Sequence, residues 1–346
     1  MADVPGVPSP ARLAELVEAM AGEPVVMLVD LVADRFISGA PKRISREAPV
    51  LILRYEGEEF VPGGGANAVA NVASLGGNPL PVGAVGRDDS GDLLIAALGD
   101  LGVETEGISR LEGYRTPTKV RVLGGGAHSA RQQIVRYDIE DFLTEDEALR
   151  AAFETSLAHL RSRAKVAVLS DYGYGAVLPT MVGEVRESLL QDGVVLCDSR
   201  YRLHEFEGLD GATPNEEEAQ ALLERRGLAD LSQGGARLRE GLGARFLLVT
   251  RGSHGMSLFD DSYSAHVPVH GTEQVADVTG AGDTVIGTFA LATAAGATPL
   301  EATLLANYAA GVVVMKVGTA TISPEELLEA IRSDRRPLEE MQWAAS

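Results

Sequence analysis

Short, uninterrupted apolar runs recur along this 346-residue chain, and each ends at a polar or hydroxyl residue. The runs cover residues 25–29, 166–169, 194–197 and 246–249. Such runs are typical of strands buried on both faces of a parallel sheet. Segments with helical spacing lie between several of them, at 93–101, 149–160, 180–190 and 216–225. The alternation predicts an α/β fold with a doubly wound, mainly parallel sheet flanked by helices, whose ligands bind beyond the carboxyl ends of the strands.

Two segments, 36–60 and 114–137, lack helical spacing and alternate between apolar and polar residues instead. Alternation of this kind predicts short antiparallel strands, which we interpret as a small β-lid over the strand ends. We therefore expect one domain over residues 1–335, with the two lid segments inserted in it. The polar residues 336–346 are expected to form a loosely held tail.

The charge balance restricts the partners that this chain can have. Thirty basic and 50 acidic residues give a formal net charge of −20, which is unfavourable for binding a nucleic-acid backbone. The single cysteine, Cys197, cannot form an intrachain disulfide. We find no secretory signal, and the apolar stretch 285–297 is too short to span a bilayer. We expect a soluble cytoplasmic protein with neither a nucleic-acid nor a membrane partner.

The segment 277–284, with the sequence DVTGAGDT, carries the strongest chemical signal. Gly280, Ala281 and Gly282 are small and directly precede an apolar helical run, so their backbone N–H groups can bind an anion at a helix N-terminus. Asp283 is then well placed to accept a proton from an attacking hydroxyl. The simpler alternative is an aspartate in the first turn of a buried helix.

A second glycine-rich segment, GGGAN at 63–67, also precedes a helical run. Gly64 and Gly65 would let the backbone approach a ligand closely, and the Asn67 amide offers both a donor and an acceptor. Taken alone, the pattern is better explained by a glycine-rich turn that caps a helix.

A third motif contains Asn215 and Glu218, which lie three residues apart and therefore share one helix face. An amide and a carboxylate there could hold a hydrated Mg²⁺. The alternative is a capping box at the start of a helix. The chain contains neither the GxxxxGK[ST] motif nor the protein-kinase motifs, and its six histidines do not cluster.

In this order, the three motifs resemble the signatures of the ribokinase-like (pfkB) carbohydrate kinase family, over about residues 25–323. Several further segments are similar to the heptose-7-phosphate kinases within it, namely 34–36, 43–50, 118–122, 133–138, 169–172 and 307–319. Val29, Arg46 and Arg200 stand where these relatives usually have Gly, Pro and Lys. Residues 124–130 form an insertion that lengthens the lid hairpin. These departures concern the substrate rather than the reaction.

The resemblance implies ATP-dependent phosphoryl transfer to a sugar hydroxyl. Our first candidate is phosphorylation of D-glycero-β-D-manno-heptose 7-phosphate at its anomeric hydroxyl, which gives the 1,7-bisphosphate. A second candidate is another sugar or sugar-phosphate kinase of this fold, acting on fructose 1-phosphate, ribose or a keto-deoxy sugar acid. A third is a sugar-binding regulator that has lost catalysis.

The resemblance also implies roles for individual residues. Asp283 would be the general base, and the amides of Gly280, Ala281 and Gly282 would stabilise the transferring phosphoryl group. The sugar hydroxyls would be oriented by Asp34, Gly64, Gly65 and Asn67. ATP would contact Asn215, Thr250, Arg251, Gly252 and Asn307. Mg²⁺ would be held, largely through water, by Asn215 and Glu218, and a monovalent cation by Asp277 and Thr279. Pairing of lids would form a homodimer.

A substrate that already carries a phosphate requires local positive charge in so acidic a chain. Five cations of the lid segments are candidates for this contact, and these are Arg43, Lys119, Arg121, Arg131 and Arg136. For any one of them alone, a solvated strand face is the simpler explanation.

Overall fold

The computed structural model describes residues 6–125, 132–144, 147–271 and 276–345. The helices in this part of the chain are α1 (Pro10–Ala19), α2 (Gly65–Ser74), α3 (Asp89–Asp100), α4 (Glu147–His159), α5 (Val182–Ser188), α6 (Glu216–Arg225), α7 (Leu231–Gly241), α8 (Ala281–Ala294), α9 (Pro299–Val313), α10 (Pro324–Ser333) and α11 (Arg336–Glu339). Three single 3₁₀ turns lie at Pro179–Met181, Leu203–Glu205 and Gly252–His254.

The strands are β1 (Pro24–Val29), β2 (Leu31–Ile44), β3 (Leu51–Gly64), β4 (Asn78–Gly86), β5 (Ile108–Leu111), β6 (Thr118–Gly124), β7 (Gln132–Ile139), β8 (Val166–Asp171), β9 (Val194–Ser199), β10 (Gly211–Ala212), β11 (Phe246–Thr250), β12 (Met256–Phe259), β13 (Tyr263–Val267) and β14 (Gln342–Ala345). They form one ten-stranded and one four-stranded sheet.

The larger sheet has the strand order β14-β13-β12-β11-β10-β9-β8-β1-β4-β5. All neighbours from β5 to β11 pair in parallel, and β12, β13 and β14 add antiparallel strands at one edge. The predicted doubly wound, mainly parallel α/β sheet is confirmed, and each of the four apolar runs is one of its parallel strands.

Strand β1 explains why a continuous apolar run suits the middle of this sheet. Successive side chains of a strand point to opposite faces. Val25, Met27 and Val29 therefore enter one hydrophobic core, whereas Val26 and Leu28 enter the other. Helices cover both faces, so neither face of the strand can carry polar side chains.

The order of the strands reverses between β1 and β8. From β1 the chain adds β4 and then β5 on one side, and it later adds β8, β9, β10 and β11 on the other. A crevice opens at such a point, because the connections on its two sides run to opposite faces of the sheet. Asp30 directly follows β1 and Asp171 ends β8, so both carboxylates lie at this crevice.

The segments 36–60 and 114–137 contribute to the four-stranded sheet, whose order is β3-β2-β6-β7. The antiparallel pairing predicted there is confirmed for β2–β3 and β6–β7, but the prediction of short, antiparallel strands throughout was wrong in two respects. β2 and β3 have 14 residues each, because only Asp30 separates β2 from β1 and β3 runs directly into α2. The central β2–β6 pair is parallel, because two helices (α2 and α3) and two strands (β4 and β5) separate the two segments in the chain.

The C-terminal segment is not loosely held, in contrast to our expectation. Residues Gln342–Ala345 form β14 and pair with β13 at the edge of the larger sheet. Trp343 lies against Tyr263 with ring centroids 5.6 Å apart, and this apolar contact was hidden in a polar stretch of sequence. Among the helices described, none combines the length and apolar character that crossing a bilayer requires.

Candidate active site

The turn of residues 277–280 enters helix α8 close to the crevice. Gly280 is the N-cap residue and has φ +82°, a left-handed conformation that favours glycine. A Cβ on Gly280 would lie 2.5 Å from Asn67 Nδ2. Asp277 accepts hydrogen bonds from the backbone N–H groups of Thr279 (2.9 Å) and Gly318 (3.2 Å). The Asp277 carboxylate therefore holds the turn in shape.

The first turn of α8 leaves main-chain donors open. Ala281 N donates to Val278 O at 3.3 Å, so it is engaged within the turn. Gly282 is exposed and a Cβ added to it would meet nothing within 4 Å. The N–H groups of residues at a helix start have no intrahelical acceptor. Of the three predicted amides, that of Gly282 is the one most open to an anion.

Asp283 is the buried carboxylate of this turn, with 3% of its surface exposed. Tyr172 OH donates to Asp283 Oδ1 at 2.6 Å, and Asn67 Nδ2 donates to Asp283 Oδ2 at 3.1 Å. Burial raises the pKa of Asp283 to about 6, although both hydrogen bonds and the charge of Lys119 lower it. A carboxylate whose pKa lies near neutrality is suited to accept a proton.

Asn67 lies on α2 and connects the two glycine-rich motifs. Besides Asp283, its amide nitrogen reaches Gly280 O at 3.3 Å, and its side-chain oxygen accepts from Asn71 Nδ2 at 3.1 Å. Asn67 is thus hydrogen-bonded to both Asp283 and the turn that precedes α8. Gly64, with φ +51°, lies at the junction of β3 with α2, and Gly65 is the first residue of α2.

The four-stranded sheet presents a charged face to this carboxylate. Asp34 on β2 is 3% exposed and accepts hydrogen bonds from the Arg121 guanidinium and from Thr319 Oγ1, the latter at 2.9 Å. A Cβ on Gly63 would lie 2.6 Å from Asp34 Oδ2, so only glycine fits there. Lys119, beside Asp34 in register, is also buried, and burial lowers its pKa.

The other lid cations have different surroundings. Arg136 on β7 is cross-strand from Arg121 and forms an ion pair with Asp138 at 2.6 Å. Arg43 is exposed near the far end of β2. Arg131 lies outside the described residues. The structure therefore places Lys119 and Arg121 beside the Asp34 carboxylate, whereas Arg43 lies at the margin of the sheet.

A cavity of ~190 Å³ opens on the other side of the α8 turn. Its lining comes from the ends of β8, β9 and β11 and from the starts of α6 and α8, and the residues are Asp171, Tyr172, Asp198, Arg200, Thr213, Asn215, Glu218, Thr250 and Gly282. Burial raises the pKa values of Asp198 and Glu218. A cation bound nearby would stabilise the ionised form of these buried carboxylates.

Asn215 and Glu218 form the capping box that the simpler interpretation predicted. Asn215 Oδ1 accepts from Glu218 N, and Glu218 Oε2 accepts from Asn215 N, both at 2.9 Å. Both residues also line the cavity, so the helix start and the cavity wall coincide. Within the described part of the chain, no group of three His, Cys, Asp or Glu side chains could hold a metal ion directly.

Three predicted ATP contacts are not part of this lining. Arg251 Nε donates to Glu216 Oε1 at 2.9 Å, and Gly252 lies in the following 3₁₀ turn. Asn307 is 1% exposed and its amide donates to Pro268 O at 2.8 Å. The other two predicted contacts, Thr250 and Asn215, form an isolated β-bridge with each other and line the cavity.

Sequence reasoning gave no role to Tyr172, Asp198, Arg200 and Thr319, although each contacts or lines this region. For the first three, a signal was present. They follow or end the apolar runs of β8 and β9, and the carboxyl ends of parallel strands are where ligands bind. Thr319 lies in the late segment 316–319, and its contact with Asp34 joins residues 285 positions apart.

Comparison with known proteins identifies the class. Residues 25–326 match the family described as pfkB family carbohydrate kinase. The chain therefore belongs to the pfkB family of carbohydrate kinases. The resemblance drawn from the motifs is confirmed, and so is the predicted class of enzyme, an ATP-dependent carbohydrate kinase.

Curated relatives include bifunctional HldE proteins. The protein from Mesorhizobium japonicum is 37% identical over 334 residues, which cover 95% of this chain and 66% of that protein. The protein from Pseudomonas aeruginosa strain LESB58 is 41% identical over 316 residues, covering 90% of this chain and 64% of that protein. This chain thus spans about two thirds of the length of these relatives.

Solved structures support the fold. Ribokinase from Arabidopsis thaliana, complexed with ribose and ATP, superposes with a TM-score of 0.67 at 22% identity, covering 91% of this chain and all of that one. Phosphofructokinase-2 from Escherichia coli, in complex with substrates and products, superposes with a TM-score of 0.72 at 18% identity, covering 90% and 98% of the two chains. The predicted ribokinase-like fold is confirmed.

Proposed function

We propose that this protein phosphorylates D-glycero-β-D-manno-heptose 7-phosphate at the anomeric hydroxyl, with ATP as the phosphoryl donor. The observation that carries this proposal is the position of Asp283, which is adjacent to the open amide of Gly282 at the cavity and close to the buried cation Lys119 of the four-stranded sheet. The identity of 37% to 41% to HldE proteins supports a heptose phosphate in preference to other sugars.

The proposed reaction is a direct displacement. Asp283 accepts the proton of the anomeric hydroxyl as the oxygen attacks the γ-phosphorus of ATP. A new P–O bond forms to the sugar, the bond between the γ-phosphorus and the bridging oxygen breaks, and ADP leaves. The N–H of Gly282 and the other free donors at the start of α8 stabilise the charge on the transferring phosphoryl group.

Lys119 and Arg121 are the cations that we propose for the substrate's existing phosphate. Both are buried, and both share a sheet face with Asp34 and Arg136. Arg121 already pairs with Asp34, so substrate binding would place a phosphate beside a guanidinium that this carboxylate orients. Asp34 is the group proposed to bind sugar hydroxyls.

The cavity residues fit a hydrated Mg²⁺. Glu218 and Asp198 supply two oxygen-bearing side chains with burial-raised pKa values, and Asn215 supplies an amide oxygen. When bound, Mg²⁺ would neutralise charge on the ATP phosphates. We also propose that Asp277 and Thr279, which shape the turn before α8, help to hold a monovalent cation. One similar structure is phosphofructokinase-2 in complex with potassium.

We further propose that the four-stranded sheet acts as a lid and pairs with the same sheet of a second copy. Its strands expose several large apolar side chains, namely Ile44, Leu51, Tyr55, Ile134, Val135 and Tyr137. Exposed apolar side chains on edge strands favour pairing with another chain. Light scattering should give a dimer mass, and Tyr55→Lys with Tyr137→Lys should give a monomer.

The substrate proposal is tested with a panel of acceptors. The purified chain is incubated with ATP and Mg²⁺ and either the heptose 7-phosphate, fructose 1-phosphate, ribose or a keto-deoxy sugar acid, and products are followed by ³¹P NMR. We expect a new anomeric phosphate signal with the heptose phosphate. Turnover of neutral sugars alone would contradict the assignment of Lys119 and Arg121. Binding without turnover of any acceptor would identify a sugar-binding regulator.

A further inference from the structure

Tyr172 occupies a position between the proton acceptor, the small sheet and the cavity. It is the first residue after β8, and its hydroxyl donates to Asp283 Oδ1 at 2.6 Å. Lys119 Nζ lies 5.0 Å from the centroid of its ring. Tyr172 also lines the cavity together with Gly282. Tyr172 therefore contacts all three parts of the site, and it has no role in the reaction described above.

The backbone around Tyr172 is held by a second buried aspartate. Asp30 Oδ2 accepts from the N–H groups of Tyr172 (2.8 Å) and Tyr174 (3.0 Å), and Asp30 Oδ1 accepts from Ala176 N at 2.9 Å. Asp171 Oδ1 accepts from Gly173 N at 3.0 Å. Four backbone hydrogen bonds to carboxylates within residues 172–176 hold this loop in place, so the Tyr172 hydroxyl is fixed relative to β1 and β8.

We propose that Tyr172 is a positioning residue, whose hydroxyl orients the Asp283 carboxylate for proton transfer from the sugar. Because Asn67 binds Oδ2 and Tyr172 binds Oδ1, the carboxyl group cannot rotate about its last bond. Each oxygen keeps a further lone pair for the incoming hydroxyl. This proposal rests on the proposed role of Asp283 as the general base.

The hydrogen bond also affects protonation. It stabilises the ionised carboxylate, whose pKa burial has raised to about 6. The charged groups that face this pair come from three elements: Lys119 on β6, Asp34 on β2, and the β9 end with Asp198 and Arg200. Since none of these is altered by removing one phenolic oxygen, loss of the hydroxyl should raise the pKa of Asp283.

The test compares Tyr172→Phe with Tyr174→Phe. Tyr174 is a matched control, because its amide is also held by Asp30 while its hydroxyl donates to Glu140 at 3.2 Å. For Tyr172→Phe we expect kcat to fall about tenfold, KM for the sugar phosphate to change less than about twofold, and the acid limb of the kcat–pH profile to move up by about one pH unit. Tyr174→Phe should leave the limb in place.

Two further measurements separate this proposal from the proposed function. Carboxyl ¹³C NMR of Asp283 gives its pKa without turnover, and we expect a higher value in Tyr172→Phe than in wild type. Difluorotyrosine at position 172 keeps the ring shape but is a stronger donor, so it should lower that pKa. An unchanged pKa in both variants would overturn the proposal even in an active enzyme. An inactive wild type with the expected shifts would contradict only the kinase assignment.

Discussion

Two buried aspartates at the same crevice have nearly equal acidity and different surroundings. Asp30 follows β1 and Asp283 lies in the first turn of α8, and burial raises the pKa of each to about 6. Asp30 accepts three hydrogen bonds from backbone N–H groups of one loop. Asp283 accepts two from side chains, Tyr172 and Asn67.

The difference shows that a shifted pKa alone does not identify a catalytic group. Backbone donors at Asp30 fix a loop and leave little room for a ligand. Side-chain donors at Asp283 orient a carboxylate that still adjoins a cavity, through Gly282, and a cationic sheet face, through Lys119. Strongly shifted pKa values arise at both structural and functional sites, so the partners of the group decide between the two.

The largest expected effect is the loss of turnover in Asp283→Asn. The amide keeps the shape of the side chain but cannot accept the proton, so kcat should fall about 10³-fold. Thermal stability should stay the same or rise, because a buried group with a raised pKa is no longer ionised at neutral pH. Steady-state kinetics and calorimetry on the same preparation measure both. A variant with wild-type kcat would remove Asp283 from the mechanism.

The converse is expected for Asp30→Asn. The amide nitrogen would face backbone N–H groups that need acceptors, so unfolding free energy should fall by about 3 kcal/mol. Chemical denaturation measures the loss, and Glu207→Gln, an exposed position, serves as the control. Equal stability of Asp30→Asn and wild type would mean that the comparison between the two aspartates is mistaken.

Local pattern predicted the framework well. Apolar runs that end in polar residues identified the parallel strands, because burial on both faces allows no other side chains. The glycines of 277–284 and 63–67 predicted where two backbones approach closely, and their absent Cβ atoms explain the contacts at Gly280 and Gly63. The sequence therefore supplied the fold and the location of the candidate site.

The local sequence pattern could not predict contacts between residues far apart in the chain. Tyr172 meets Asp283 across 111 positions and Thr319 meets Asp34 across 285, and no periodicity encodes such pairs. The edge strand β14 was missed since its pairing with β13 depends on the sheet already being formed. Two predicted ATP contacts, Arg251 and Asn307, form hydrogen bonds with other parts of the protein here.

A smaller effect is expected at the cationic face that adjoins Asp283. Lys119→Met keeps the aliphatic length but removes the charge, so KM for the sugar phosphate should rise about 50-fold with a smaller change in kcat. Lys42→Met removes an exposed charge on β2 of the same four-stranded sheet and should leave KM within about twofold of the wild-type value. Equal effects of the two variants would show that net charge, and not a phosphate contact, governs binding.

The smallest effect concerns the pH dependence of stability, where the two aspartates should act alike. Each has a folded pKa of about 6, above the ordinary value of 3.8. The contribution of these two groups to the free energy of unfolding therefore has its full value below pH 3.8 and is lost as the pH rises through 6. The reason is that both carboxyl groups lose their protons at lower pH in the unfolded chain than in the folded one. Asp283→Asn should remove about 2 kcal/mol of that decline between pH 4.5 and 7. Denaturation curves at both pH values measure it, and an unchanged decline would mean that Asp283 is not protonated in the folded state at pH 4.5.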